Sequence, residues 1–334
     1  MNQKSIVAVL AGCMMLTACT QMPVSAENPR EEFLSWKFGM FIHFNVATYN
    51  EREWANGHED PASFAPNQLD CGQWADAARS AGMKYAVLTV KHTGGWCLWD
   101  SQYTDSHDIT AFKNYKNGKG DIVREFVDAF RARGIKVGLY YCAPGSYINK
   151  HGNVLLEGQE NLFGMPPEAK EDPVGFMKNQ LTELLTDYGP IDLLWIDQYR
   201  KLGDRWPGVK QHIKSLQPNC LIIANNSHDP METDIFSYEY PWMMKRNPEL
   251  ALPPEDNQHP GEVCDIFSNS WFWKTKEEAS HLKSAEKVVD MIHLCNSRRA
   301  NYLLNVAPDK TGRLPSYYVN RLNEVGELLG SVQP

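Results

Sequence analysis

The strongest constraint on this chain is a repeated alternation of two patterns. Short apolar runs, bounded by turn residues, are separated by stretches whose apolar residues recur at helical spacing. Alternation of this kind marks βα units, and parallel strands covered by helices on one side and packed inward on the other read as continuous apolar runs. Eight such runs occur: "FGMFIHF" (38–44), "YAVLTVKH" (85–92), "KVGLYYC" (136–142), "LLWIDQYR" (193–200), "CLIIANN" (220–226), "DIFSYEYP" (234–241), "VCDIFSNSW" (263–271) and "YLLNVAP" (302–308). Between them, a helix is expected from Asp70 to Ala81, with Trp74, Ala77, Ala78 and Ala81 on one face and Gly82 as its stop. A second runs from Asp121 to Gly134 and carries Val123, Phe126, Val127 and Phe130. A third covers 172–190, with Asp172 as its cap and Pro173 in its first turn. A helix after the seventh run is expected to open with Thr275 and Glu278 as a capping box, and a last helix covers 316–329. Eight strands with interleaved helices predict an α/β fold of the (β/α)8, TIM-like kind. Residues 227–262 show little helical pattern, so the barrel should be irregular around strands five to seven. The long polar loops 143–171 and 242–262 both follow strands, which places them over the face where barrel enzymes keep their sites.

A chain of 334 residues suits one such barrel, and a formal net charge of −8 argues against a nucleic-acid partner. The opening "MNQKSIVAVLAGCMMLTACTQ" has a basic start at Lys4, an apolar run too short to span a bilayer, and small residues before Cys19. "LTAC" resembles a bacterial lipobox, and is preferred over "LAGC" because the apolar run continues past Cys13. The expected organisation is a lipoprotein signal peptide at 1–18, a short linker at 19–30 after a lipidated Cys19, and a catalytic barrel at 31–334. That implies an exported periplasmic or cell-surface protein whose contact with the membrane is its lipid. Of the other cysteines, none forms a C-x-x-C pair; Cys142, Cys220 and Cys264 lie in or beside apolar runs and are expected as small buried residues.

In a barrel of this kind the C-terminal strand ends carry the chemistry. Read in order, they offer His43, His92, Tyr140 with Tyr141, Asp197, Asn225 with Asn226, Glu239, Trp271 and Asn305. Two of these are carboxylates. Glycoside cleavage needs one group to attack or stabilise the anomeric carbon and another to protonate the departing oxygen. Asp197 on a rigid apolar strand suits the first task, and Glu239 among aromatics suits the second, since desolvation raises a carboxyl pKa. His43, His92 and Asp197 could in principle hold a metal, but they lack H-x-H or H-E-x-x-H spacing, so no metal is expected. The loop residues His151, His228 and His259 receive no role.

These motifs resemble those of glycoside hydrolase family 29, the α-L-fucosidases, from about Trp36 to Leu329. "WKFGMFIHF", "EREWANG", "VLTVKHTGGWCLWDS", "GLYYCAP", "LLWIDQ", "EVCDIFSNSWFW" and "NYLLNVAPDKTGRL" match its signatures in order. The resemblance implies a retaining exo-α-L-fucosidase that needs no cofactor and acts on fucosylated oligosaccharides or glycoconjugates. It assigns Asp197 as nucleophile, with Glu239 preferred as general acid over Glu262 and Glu53 as a weaker third. His43, His92, Tyr141 and Trp195 would hold the sugar hydroxyls. Glu53 and Trp54 form the family's Glu-Trp pair, and Phe41 with Trp271 or Phe272 would pack on the C5 methyl group of fucose. Two departures stand out: Thr93 and Gly94 follow His92 where a second His and an Asp are common, and Ser227 stands where an Arg often helps bind the sugar. Both remove hydrogen-bonding partners, which leaves open a glycosidase of the same fold acting on a related L-sugar such as an α-L-galactoside, or a glycan-binding surface lipoprotein without activity. The chain ends soon after its last helix, so no C-terminal β-sandwich domain is expected.

Overall fold

Each of the eight apolar runs forms a strand, and every ladder between them is parallel. The computed structural model describes residues 28–144 and 166–330. The expected leader, the lipidated Cys19 and most of the 143–171 loop, His151 included, lie outside these residues. The strands are β1 (Phe38–Ile42), β2 (Tyr85–Lys91), β3 (Lys136–Cys142), β4 (Leu193–Asp197), β5 (Leu221–Ala224), β6 (Phe236–Glu239), β7 (Gly261–Ile266) and β8 (Ala300–Asn305). Their order, β5-β4-β3-β2-β1-β8-β7-β6, is a (β/α)8 barrel with one seam, between β5 and β6. At that seam no ladder forms among the described residues; side chains substitute for it. The backbone N–H groups of Ile222 and Ala224 donate to Asp234 Oδ2 and Thr233 Oγ1, both at 3.0 Å. Buried edge amides are therefore satisfied without a neighbouring strand.

The helices are α1 (Pro29–Trp36), α2 (Val46–Tyr49), α3 (Cys71–Ser80), α4 (Ile122–Arg131), α5 (Pro173–Thr186), α6 (Trp206–Leu216), α7 (Tyr240–Arg246), α8 (Ala285–Ser297) and α9 (Ser316–Leu328). Three of them start in the same way. Asp70, Asp121 and Asp172 each accept the N–H of the third residue beyond, Gln73, Arg124 and Gly175, at 2.8–2.9 Å. Each such cap contributes about 1 kcal/mol. The expected capping box at Thr275 does not open a helix. Thr275 donates to Glu51 instead, and α8 is capped by Ser284, whose hydroxyl accepts from Lys287 N. Four helices among the described residues were not foreseen in the sequence: α1, α2, α6 and α7, the last within the stretch 227–262 that shows little helical pattern. In α1, Phe33 and Trp36 pack against Tyr85 and plug the N-terminal mouth of the barrel.

Side chains alternate along every strand, and this sorts the core into two layers. Phe41, Val87, Tyr140, Leu193, Trp195, Ile223, Cys264 and Leu303 point into the barrel. Met40, Leu88, Leu139, Leu194, Ile222, Val263 and Leu304 point outward against the helices. Gly39 on β1 has a particular reason to be glycine. A Cβ there would meet the Tyr85 ring at 2.4 Å, so only a bare Cα lets that ring lie across the barrel interior. All six cysteines among the described residues are buried and unpaired.

Candidate active site

At the C-terminal strand ends lies a cavity of about 280 Å³. Phe41, His43, His92, Tyr140, Trp195, Asp197, Asn225, Glu239, Cys264 and Trp271 come from the barrel strands and the turns just after them, and Trp54 and Trp242 stand at the mouth. Strand alternation explains the set: Tyr140, Trp195, Asp197 and Glu239 all occupy inward positions of β3, β4 and β6.

Three donors hold the Asp197 carboxylate. Tyr140 Oη reaches Oδ2 at 2.9 Å, Gln198 N reaches Oδ1 at 2.8 Å, and Asn225 Nδ2 reaches Oδ1 at 2.9 Å. The second contact depends on Gln198 adopting φ +58°, a left-handed conformation that turns its N–H back on the preceding side chain. Asn226 has φ +57° and presents its amide to Glu239. Glu239 Oε2 accepts from Asn225 Nδ2 at 3.0 Å and from Asn226 Nδ2 at 3.1 Å. One amide nitrogen thus bridges both carboxyl groups, and Ser237 Oγ donating to Asn225 Oδ1 fixes which end of the amide faces them. Burial, reinforced by the neighbouring Asp197, raises the Glu239 pKa to about 7, although the two Asn donors pull it down.

His43 is prepared as a neutral ring. Its Nδ1 lies 2.7 Å from Asn305 Oδ1, while Asn305 Nδ2 donates to the Trp271 carbonyl. The Asn305 orientation therefore makes Oδ1 an acceptor, so His43 Nδ1 carries the proton and Nε2 is left as an acceptor. Burial and the adjacent His92 hold the His43 pKa well below its usual value. Burial alone lowers His92 to about 3. His92 stacks on Tyr140, whose ring in turn stacks on Trp195. Thr93 does not empty the site of a partner: its hydroxyl lies 3.2 Å from His92 Nδ1. Ser227 turns away and donates to Glu232 at 2.7 Å.

Three expected site residues lie elsewhere. Tyr141 points outward, one residue out of phase with Tyr140, and donates to Gln180 on α5 at 2.8 Å; it does not reach the cavity. Glu53 is also withdrawn from it. Its carboxylate accepts the Trp271 N–H at 2.9 Å and pairs with Lys274 at 3.3 Å, so it positions Trp271 instead of facing a ligand. Glu262 lies in the barrel interior below the cavity, with no solvent exposure. Its two oxygens accept from Tyr85 Oη at 2.7 Å and Trp195 Nε1 at 2.8 Å. Burial raises its pKa to about 7 as well, but it does not line the cavity. Asn225, Asn226, Gln198, Arg200 and Lys201 also line the cavity; of these, only the two Asn had been marked, as polar strand tips. No cluster of His, Cys, Asp and Glu that could hold a metal ion occurs among the described residues.

A sequence profile described as Alpha-L-fucosidase matches residues 58–332. The chain belongs to the alpha-L-fucosidase family. Alpha-L-fucosidase 1 of Arabidopsis thaliana is 29% identical over 330 residues, covering 91% of this chain and 60% of the plant protein. Among solved structures, alpha-L-fucosidase isoenzyme 1 from Paenibacillus thiaminolyticus is 30% identical with a TM-score of 0.71, covering 91% of this chain and 76% of that one. A glycoside hydrolase 29 family member from an unknown rumen bacterium is 28% identical with a TM-score of 0.70, covering 90% of this chain and 56% of that one. The chain thus spans about three fifths of the length of the plant alpha-L-fucosidases it matches.

Proposed function

We propose that this barrel is a retaining exo-α-L-fucosidase acting on terminal α-L-fucosyl residues of glycans. The observation that carries the proposal is the donor shared by Asp197 and Glu239. Because Asn225 Nδ2 bonds to an oxygen of each, those two oxygens lie no more than about 6 Å apart, a closeness that supports a retaining pair, whose carboxyl groups stand ~5 Å apart.

On this reading Asp197 attacks the anomeric carbon from its three-donor cradle, while protonated Glu239 gives its proton to the departing oxygen. A covalent fucosyl-enzyme forms, and water activated by the now ionised Glu239 hydrolyses it. A Glu239 pKa near 7 supports both halves of the cycle, since the group must donate and then accept one proton. His43 Nε2 accepts from a sugar hydroxyl and His92 faces the same ring. Phe41 and Trp271, with ring centroids 6.0 Å apart, offer an apolar wall for the C5 methyl group. The small cavity suits one terminal pyranose ring. The N-terminal sequence supports export and attachment to the bacterial envelope through lipid on Cys19. Hydrolysis of an aryl α-L-fucoside by the wild type and by Asp197→Ala tests the proposal: an active wild type and a loss of roughly three orders of magnitude or more support it, whereas a variant that keeps most of the activity removes Asp197 from the nucleophile role.

A further inference from the structure

Apart from Asp197 and Glu239, every formally charged side chain that lines the cavity is a cation. These are Arg200 and Lys201, on the short helical turns 199–205 that follow β4. The setting makes them notable, because the whole chain carries a formal charge of −8. Arg200 makes no ion pair among the described residues. Its Nη1 and Nη2 donate to the carbonyls of Asn225 and Asn226 at 3.2 and 2.6 Å. Those neutral acceptors fix the guanidinium at the cavity wall without cancelling its charge, and they leave further N–H donors unused. The Lys201 ammonium likewise has no ion-pair partner among the described residues. The adjoining depression behind Arg200 holds Asp229 and Glu232, but neither pairs with it. Glu232 instead accepts from Tyr199 and Ser227, at 2.5 and 2.7 Å. At the mouth stand Trp54, 51% exposed, and Trp242, over whose ring the Arg246 guanidinium lies at 3.9 Å.

Uncompensated cations beside aromatic rings describe a subsite for an acidic sugar: rings pack on pyranose faces, and a guanidinium and an ammonium take a sulfate or carboxylate. This inference rests on the reading of the site as a fucosidase, which places the fucosyl ring inside and the group it leaves at the mouth. We propose that the preferred leaving group is an acidic saccharide, with a sulfate ester or a carboxylate held by Arg200 and Lys201.

The test compares kcat/KM for fucosylated oligosaccharides that differ only in the substituent on the sugar bearing the fucose or the next one: none, a sulfate ester, or a carboxylate. At low salt, at least one acidic substrate should exceed its neutral counterpart by about tenfold or more, and the arm that does so names the anion. The ratio of acidic to neutral should fall toward one in Arg200→Gln/Lys201→Gln, and in the wild type at high salt. The salt series reads the same contact without any substitution. Equal or lower kcat/KM on both acidic arms, with the neutral glycan cleaved, overturns the inference and leaves the fucosidase reading standing. Absence of cleavage on every fucoside, the aryl substrate included, overturns both.

Discussion

Asp197 and Glu239 share one donor: the Asn225 amide nitrogen stands 2.9 Å from an oxygen of the first and 3.0 Å from an oxygen of the second. Their chemistry is therefore coupled through a neutral group. Replacing Asn225 by Ala removes a donor from each carboxyl. That donor lowers the Glu239 pKa, so its loss should move the basic limb of the kcat/KM profile to higher pH. A fall in kcat of about 10- to 100-fold should accompany the shift. An unshifted limb would show that the bridge does not tune the acid.

On the proposed mechanism, Glu239 of the wild type must be protonated to act first. The active form is lost as pH rises through its pKa, so kcat/KM should decline about tenfold per unit above about pH 7. With an aryl fucoside whose leaving group needs no proton, Glu239→Ala should abolish that limb. A pH-rate series on both proteins checks this.

The two tyrosines at the end of β3 should separate cleanly. Tyr140→Phe removes a hydrogen bond to Asp197 Oδ2, and kcat should drop by about tenfold or more. Tyr141→Phe removes only the contact to Gln180, so it should cost on the order of 1 kcal/mol of stability with kcat nearly unchanged. Steady-state kinetics and denaturant unfolding on the pair decide between them.

Glu262 should register in stability more than in chemistry. Its folded pKa is raised from 4.5 to about 7, so the stability it confers is complete below about pH 4.5 and is lost as pH rises through about 7. Glu239 shifts in the same direction over the same window. His43 and His92, whose pKa values are lowered, work in the opposite direction up to about pH 6.5. The sign of the Glu262 contribution is therefore read from the difference: between about pH 5 and pH 7 the unfolding free energy of the wild type should fall relative to that of Glu262→Gln. Gln can keep an oxygen on Trp195 Nε1 and donate its amide N–H to Tyr85 Oη, so the indole stays ordered and kcat and KM should change little. A variant as inactive as Glu239→Ala would instead restore Glu262 as the acid.

Much of this was readable in the sequence because parallel barrel strands are apolar throughout, and Asp197 or Glu239 at the end of such a run stands out. The same property hides orientation. With both faces of β3 apolar, nothing in "GLYYC" says whether Tyr140 or Tyr141 points inward; the register against β4 decides it, pairing Tyr140 with Trp195. Glu262 was misread for a related reason. The seventh strand was expected to start at 263, leaving Glu262 in a loop, whereas β7 begins at Gly261 and carries Glu262 into the barrel. The bridging role of Asn225 depends on a turn geometry that no local pattern announces. Helix α6 escaped notice because its buried side is sparse, marked by Trp206, Val209 and Ile213 with Leu216 partly buried. Thr275 and Glu278 have the spacing of a capping box, yet a tertiary bond from Thr275 to Glu51 competes for the hydroxyl.

The central claim, that Asp197 is the nucleophile and Glu239 the acid, is tested most directly by azide rescue with the product configuration read by proton NMR. Azide entering the fucosyl-enzyme of Glu239→Ala should give α-L-fucosyl azide, because the covalent intermediate has already inverted once. Azide replacing the carboxylate in Asp197→Ala should give β-L-fucosyl azide by single displacement. The opposite configurations, or rescue of Glu262→Ala in place of Glu239→Ala, would contradict the assignment.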